Sequence, residues 1–289
     1  MADSIKIVLL VSGLFAVSVA IYLYLVWPAR TPADFSWLPR WKYAHRGLFS
    51  GDQSIPENSI ASFDAAIRAG FGFELDVAMT ADHKLVVFHD NSAFRMCGVE
   101  GKIWTLTSEE IATLRLAGTQ ERIPLFSDLL AMVHGRVPLI VEIKSSPLRP
   151  ALCEAVANAL DTYPGPCCVE SFDPLIVGWF RKHRPAMLRG QLACRGDKAD
   201  PGRRFGWFLL RNLLTNVLAR PHFIAYQVNE TSHPAFRLCR RLGALTVAWT
   251  VRNDDECATA DQWFDAMIFE AWEGMPDWHQ GETAERDGK

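Results

Sequence analysis

The stretch from Phe71 to Asp90 constrains the fold more than any other. Phe73, Leu75 and Val77 alternate with Glu74 and Asp76, so the segment reads as a strand with an apolar face and a carboxylate face. Charged side chains are almost never buried unless paired or bound to metal, so two on one strand face have a use. Thr80 to Lys84 is short and polar, and a second apolar run then ends in His89-Asp90. Five residues cannot carry a parallel crossover, so the two runs should form a hairpin. A turn centred on Asp82-His83 sets 80 opposite 85, 78 opposite 87 and 76 opposite 89. His89 then faces Asp76, with Glu74 on the same face.

The chain has 289 residues, enough for one large α/β barrel and an appendage. Net charge is −3 with no basic stripe, which argues against a nucleic-acid partner. Seven cysteines without a paired or metal-site spacing read as free thiols and lean towards a reducing compartment.

Val8 to Trp27 contains no charged residue and is long enough to span a bilayer. It exceeds a signal-peptide core, and no small-residue cleavage site follows it. Tyr22, Tyr24 and Trp27 suit an interfacial belt, and Arg30, Arg40 and Lys42 outweigh Lys6. The expected organisation is a membrane anchor at 1–28, a linker at 29–40, a barrel domain at 41–278 and a polar tail at 279–289. The expectation is a single-pass membrane protein, with the charge bias placing its barrel in the cytoplasm.

From Trp41 onward, strand and helix patterns alternate. Strands are expected at 43–46, 71–77, 138–144, 167–172, 188–193, 223–226, 246–251 and 266–270, with 84–89 as the hairpin return. Thr107 with Glu110 is a capping box, Asp173-Pro174 reads as N-cap and N1, and Asn253 with Glu256 opens the last long helix. Eight strands with helices between them argue for a TIM (β/α)8 barrel, whose chemistry lies at the carboxyl ends of its strands. Residues 91–125 are an insertion on that face.

The polar residues cluster at those ends. Strand one ends His45-Arg46, and the third barrel strand places Glu142 and Lys144 between apolar residues. Glu74, Asp76 and Glu142 around one mouth repel one another unless a cation lies between them. An all-oxygen set selects one hard divalent ion, Mg²⁺ or Ca²⁺. His45 and His89 suit general acid and base, and Arg46 and Lys144 an anion beside the ion. Trp249 is a candidate substrate wall, and Glu170 a partner orienting Lys144 or Arg46. Together these describe phosphodiester hydrolysis.

His45-Arg46-Gly47, Pro56-Glu57-Asn58-Ser59, Glu74-Leu75-Asp76-Val77, His89-Asp90, Glu142-Ile143-Lys144, Ser171-Phe172 and Trp249-Thr250-Val251 also resemble the glycerophosphodiester phosphodiesterases. The likeness runs over about residues 41 to 275. It implies a TIM barrel, a divalent cation, and cleavage of glycerophosphodiesters to an alcohol and glycerol 3-phosphate; the expected substrates are deacylated or lyso-phospholipids, the latter giving a related phosphate. It further implies His45 and His89 as the acid/base pair, Glu74, Asp76 and Glu142 as metal ligands, and Arg46 and Lys144 as phosphate contacts. Two departures stand out. Residues 48–55 lengthen the first loop, and the last strand ends Phe269-Glu270 where the family usually has Thr-Asp.

Blander readings accompany these. Asn58 reads first as a helix cap, and His83, His134, His183, His222, His233 and His279 read as surface. The run 205–218 reads either as a barrel helix or as an interfacial helix with Arg203 and Arg204 near lipid headgroups. Other functions for such a barrel are a two-carboxylate glycoside hydrolase, which needs neither histidines nor Arg46 and Lys144, and a membrane-tethered barrel that only binds headgroups.

Overall fold

A computed structural model describes residues 2–196, 204–276 and 278. The expected tail at 279–289, His279 and Arg203 lie outside the described residues.

The strands are β1 (Lys42–Ala44), β2 (Gly72–Met79), β3 (Leu85–Val87), β4 (Leu139–Ile143), β5 (Cys167–Ser171), β6 (Arg189–Ala193), β7 (Phe223–Gln227), β8 (Leu245–Val251) and β9 (Ala266–Phe269). The helices are α1 (Ala2–Val26), α2 (Ile60–Arg68), α3 (Phe94–Cys97), α4 (Ser108–Thr113), α5 (Phe126–Val133), α6 (Arg149–Asp161), α7 (Pro174–His183), α8 (Arg204–Arg211), α9 (Asn216–Ala219), α10 (Pro234–Arg241) and α11 (Asp254–Trp263). Pairing runs β1-β9-β8-β7-β6-β5-β4-β2, and β1 also pairs β2, so eight parallel strands close into a TIM barrel. β3 adds antiparallel to β2 as the expected hairpin return.

Period-two alternation assigns the side chains to two cores. On β4, Leu139, Val141 and Ile143 pack outward with the helices, while Ile140 joins Tyr43, Cys168, Phe223, Val247 and Ile268 inside the barrel. That inner layer is apolar and fills the amino end of the barrel. Two inward glycines make room for its rings: a Cβ on Gly72 would meet the Tyr43 ring at 2.8 Å, and one on Gly190 would overlap Phe223. Leu38 belongs to the same inner cluster, and Tyr43 Oη donates to its carbonyl at 3.1 Å. Further along the same inward positions come Glu74 and then Asp76 on β2, Glu142 on β4 and Glu170 on β5. The interior therefore changes from apolar to charged between its two ends.

The helix starts follow their caps. Thr107 and Glu110 form the capping box of α4, Asp173 caps α7 ahead of Pro174, and Asn253 caps α11. Ser59, not Asn58, caps α2. The insertion at 91–125 carries its own small core of Phe88, Met96, Ile103, Ile111, Leu116 and Ile123.

The hairpin differs from expectation by one residue. Val77 pairs Val87 and Met79 pairs Leu85, so Asp76 lies opposite Phe88 and not His89. The turn is set by Thr80, whose N–H donates to the Lys84 carbonyl at 2.9 Å and whose hydroxyl donates to Asp82 at 2.6 Å. Asp82 in turn accepts from the Ser108 N–H and hydroxyl, so the insertion fixes the turn on Asp82. A one-residue shift exchanges the faces. Phe88 goes into the insertion core, and His89 leaves the ladder.

The run 205–218 is two helices, not one. It breaks at Leu213, which has a φ of +55° and is fully buried. Thr215 and Asn216 are buried too, so the supposed polar face points largely inward. His222, expected at the surface, is also buried, and its Nδ1 accepts from the Arg189 N–H at 3.3 Å. α1 has the length and composition of a membrane span or of a signal sequence.

Candidate active site

Register aligns the carboxylates. Asp76 on β2 is the partner of Glu142 on β4, and Glu142 is the partner of Glu170 on β5. Glu74 lies one inward step back on β2, beside the end of β1. Ligand oxygens of Glu74, Asp76 and Glu142 lie within 4.8 Å of one another, and all three residues are buried.

The cations expected beside them are present and already engaged. Lys144 Nζ donates to Asp76 Oδ1 at 3.0 Å and to Glu142 Oε1 at 2.7 Å. Arg46 donates from its backbone N–H to Glu74 Oε2 at 3.1 Å and from its guanidinium to Glu57 Oε1 at 2.7 Å. Its Nε lies 3.3 Å from Asp76 Oδ2. Asn58 Nδ2 donates to that same Asp76 oxygen at 2.8 Å. Its role is to hold the carboxylate, which corrects its reading as a helix cap.

The electrostatics divide the acids. Burial would raise Asp76, but Lys144, His89 and Arg46 together with the Asn58 hydrogen bond hold it well below the usual carboxylate range. Glu74 moves the other way, raised by burial and then by Asp76 and Glu142. Glu170 is raised by burial and then by Glu142 and Asp76. Glu74 Oε1 and Glu170 Oε2 are buried without a hydrogen-bond partner. Fully ionised, Glu74, Asp76, Glu142 and Glu170 would outnumber Lys144 and an Arg46 shared with Glu57, and the raised Glu74 and Glu170 reflect that excess. A divalent cation fits that excess, the all-oxygen donor set and the unpartnered Glu74 oxygen.

Each histidine has a carboxylate on Nδ1. His45 Nδ1 lies 2.8 Å from Glu270 Oε1, and its Nε2 lies 3.9 Å from Glu74 Oε2. Burial lowers the His45 pKa, and the Glu270 hydrogen bond opposes that only in part. His89 Nδ1 lies 2.6 Å from Asp90 Oδ1. Arg95, on the first turn after the hairpin, bridges Asp90 and Glu57, donating to Glu57 Oε1 at 2.6 Å. Trp249 on β8 meets Phe172 edge to face at 5.5 Å, and its indole N–H has no partner.

Glu270, Glu57, Asp90 and Arg95 were absent from the sequence-based set. Glu57 and Asp90 sit inside the quoted motifs, so their signal was present. Glu270 stood out only as a departure, and nothing in the sequence pairs Arg95 with either of its partners.

A family model, the glycerophosphoryl diester phosphodiesterase family, matches residues 45–271. The chain is 28% identical to the Bacillus subtilis protein YhdW, over 74% of this chain and 87% of the relative. It is 37% identical to a glycerophosphodiester phosphodiesterase of Caldanaerobacter subterraneus, over 42% of this chain and 52% of the relative, so that match spans about half of the relative. Among solved structures, a phosphodiesterase of Oleispira antarctica in complex with the product sn-glycerol-3-phosphate is similar with a TM-score of 0.65 at 21% identity. That likeness covers 81% of this chain and 94% of the other.

Proposed function

That the chain belongs to the glycerophosphoryl diester phosphodiesterase family is the premise from which we propose its reaction. The protein hydrolyses glycerophosphodiesters with water, releasing an alcohol and glycerol 3-phosphate from deacylated phospholipids, or an alcohol and the acylated glycerol 3-phosphate from lysophospholipids. One arrangement carries the reading: the Glu74–Asp76–Glu142 cluster lies at a barrel mouth whose two histidines are each oriented by a carboxylate through Nδ1.

Glu74, Asp76 and Glu142 would hold one Mg²⁺ or Ca²⁺, with Glu170 beside them. When bound, such an ion offsets phosphate charge and polarises the phosphoryl oxygens. Arg46 and Lys144 supply fixed positive charge for the phosphate at the same wall. His45 presents Nε2, because a proton on Nδ1 is shared with Glu270. Burial disfavours its charged form, which suits a general base taking a proton from the attacking water. His89, held by the ionised Asp90, then protonates the leaving alkoxide. Trp249 and Phe172 form an apolar wall beside the phosphate.

The apolar helix α1 anchors the barrel to a membrane as a single span, with the barrel in the cytoplasm. Basic residues after the span and seven free cysteines support that side. The test of the reaction is release of glycerol 3-phosphate from deacylated diesters by the purified full-length protein, before and after EDTA. Absence of release with either Mg²⁺ or Ca²⁺ added back would reject it.

A further inference from the structure

The carboxyl end of α1 is built into the barrel. Val26 is fully buried, and its carbonyl accepts from Asn216 Nδ2 at 2.9 Å and from Cys239 Sγ at 3.3 Å. The Arg220 guanidinium donates to the carbonyls of Tyr24 at 2.8 Å and Trp27 at 2.7 Å, and lies 4.7 Å over the Tyr24 ring. The chain then follows the same surface. Ala29 N–H donates to Pro221, and the Thr31 hydroxyl to His222. These partners lie in α9 and the segment from it into β7, or in the second half of α10 ahead of β8. They therefore mark the amino end of the barrel, opposite the mouth that carries His45 and Glu142. Earlier positions such as Leu10, Leu14 and Phe15 are exposed, so α1 leaves the body at that end.

Charge gathers at the same place. The last turn of α7 carries Arg181, Lys182 and His183, and that of α10 carries Arg240 and Arg241. Basic residues at helix ends complement the helix dipole, but α5, α6 and α11 have none in their last turns. α2 and α8 each end in a single arginine, Arg68 and Arg211, so the denser clusters fall on the two helices that flank α9 and the docked end of α1. Arg181, Lys182, Arg240, Arg241 and Arg30 are exposed.

We propose that the amino-end face of the barrel around α1 lies against an anionic phospholipid bilayer, with the catalytic mouth directed away into water. This rests on the reading of α1 as a membrane span. A helix of 25 residues is about 38 Å long, which crosses a hydrocarbon core of about 30 Å. Because the span ends in fixed contacts, the barrel has little freedom to turn its mouth toward the lipid. Anionic headgroups draw juxtamembrane basic clusters to the surface. Substrate then reaches the site from solution.

The experiment uses full-length protein in vesicles of phosphatidylcholine, with and without phosphatidylglycerol, containing a headgroup-nitroxide lipid. One fluorescent residue replaces Ala186 at the amino end, or Phe94 on the insertion near the mouth. Quenching is expected at 186 and not at 94. It should increase at 186 with phosphatidylglycerol, and an Arg240→Gln/Arg241→Gln variant should lose that increase while its turnover of soluble diesters stays unchanged. Equal or stronger quenching at 94, or quenching at 186 that ignores anionic lipid, would overturn the orientation. Release of the chain by alkaline carbonate would overturn the span reading and the orientation with it, while leaving hydrolysis of soluble diesters in place.

Discussion

Glu270 Oε1 lies 2.8 Å from His45 Nδ1, and Arg252 grips the same carboxylate through Nε at 2.7 Å and Nη2 at 2.8 Å. His45 and Arg252 outweigh burial and bring the Glu270 pKa down to about 2, so it is ionised at any working pH. It fixes which nitrogen of His45 faces the mouth. Glu270→Ala should therefore lower kcat by roughly 10- to 100-fold with little change in KM, the mark of a lost transition-state interaction. Glu270→Asp should recover part of it. A KM increase at constant kcat would mean that the strand end binds substrate and does not position the ring.

The two histidines should act as a pair of unequal members. His45→Ala and His89→Ala should each lower turnover by roughly 10² to 10⁴. A diester with a very good leaving group should rescue His89→Ala, since that substrate no longer needs an acid, and should leave His45→Ala slow. Rescue of His45→Ala alone would exchange the roles.

The acidic cluster makes a stability prediction as well as an activity one. Burial, and then the charges of Asp76 and Glu142, raise Glu74, so the cluster opposes its own ionisation until a cation is bound. Mg²⁺ or Ca²⁺ should raise the melting temperature of the native chain. Glu74→Ala, Asp76→Ala and Glu142→Ala should each abolish that rise along with metal-dependent activity. Full activity in Glu142→Ala would remove that residue from the ion's ligands.

A buried histidine away from the mouth gives the pH dependence of folding. Burial, then the positive charge of Arg189, brings the His222 pKa down to about 4. The unfolded chain titrates near 6.5, so the unfolded state binds the extra proton first as pH falls. The contribution is fully present above about pH 6.5 and declines down to about pH 4, by up to ~3 kcal/mol. Urea unfolding at pH 7.5 and pH 5 should show this loss. His222→Asn, which keeps an acceptor for the Arg189 N–H, should flatten it. An unchanged slope in that variant would assign the acid sensitivity to the carboxylates of the mouth.

The barrel and its charged ring were legible because alternation is a local signal. A residue two places from Ile140 must share its face, so Glu142 was readable as inward once 138–144 read as a strand. What sequence left open depends on contacts between distant segments. Ser108 decides where the hairpin turns, 26 residues after Asp82. Glu57, Asp90 and Arg95 meet only when the first loop and the insertion close over one mouth. Leu213 is core because the chain breaks there, and a helical wheel drawn through 205–218 cannot show a break. The cysteines illustrate the same limit. Cys153 and Cys239 are fully buried, so a membrane-impermeant thiol reagent can report topology only at half-buried positions such as Cys97 and Cys167.

The last prediction concerns which diesters reach the site. Phe205 and Phe208 are 72% and 55% exposed on α8, a helix packed beside β6 with Trp207 against Phe172. Those contacts put α8 near the mouth, at the other end of the barrel from the docked end of α1. If the mouth is directed into water, these rings do not reach lipid. Phe205→Ser/Phe208→Ser should then leave unchanged both the rate on deacylated diesters and the rate on lysophospholipid presented in vesicles. Exposed positions tolerate such changes, whereas Leu213→Ser opens a buried site and should cost about 2–5 kcal/mol. The wild-type rate on lysophospholipid should follow its monomer concentration in water and not its density in the bilayer. Should the double variant keep its rate on soluble diesters but lose the vesicle rate, α8 touches the membrane, and the mouth must be turned toward the lipid despite the fixed end of α1.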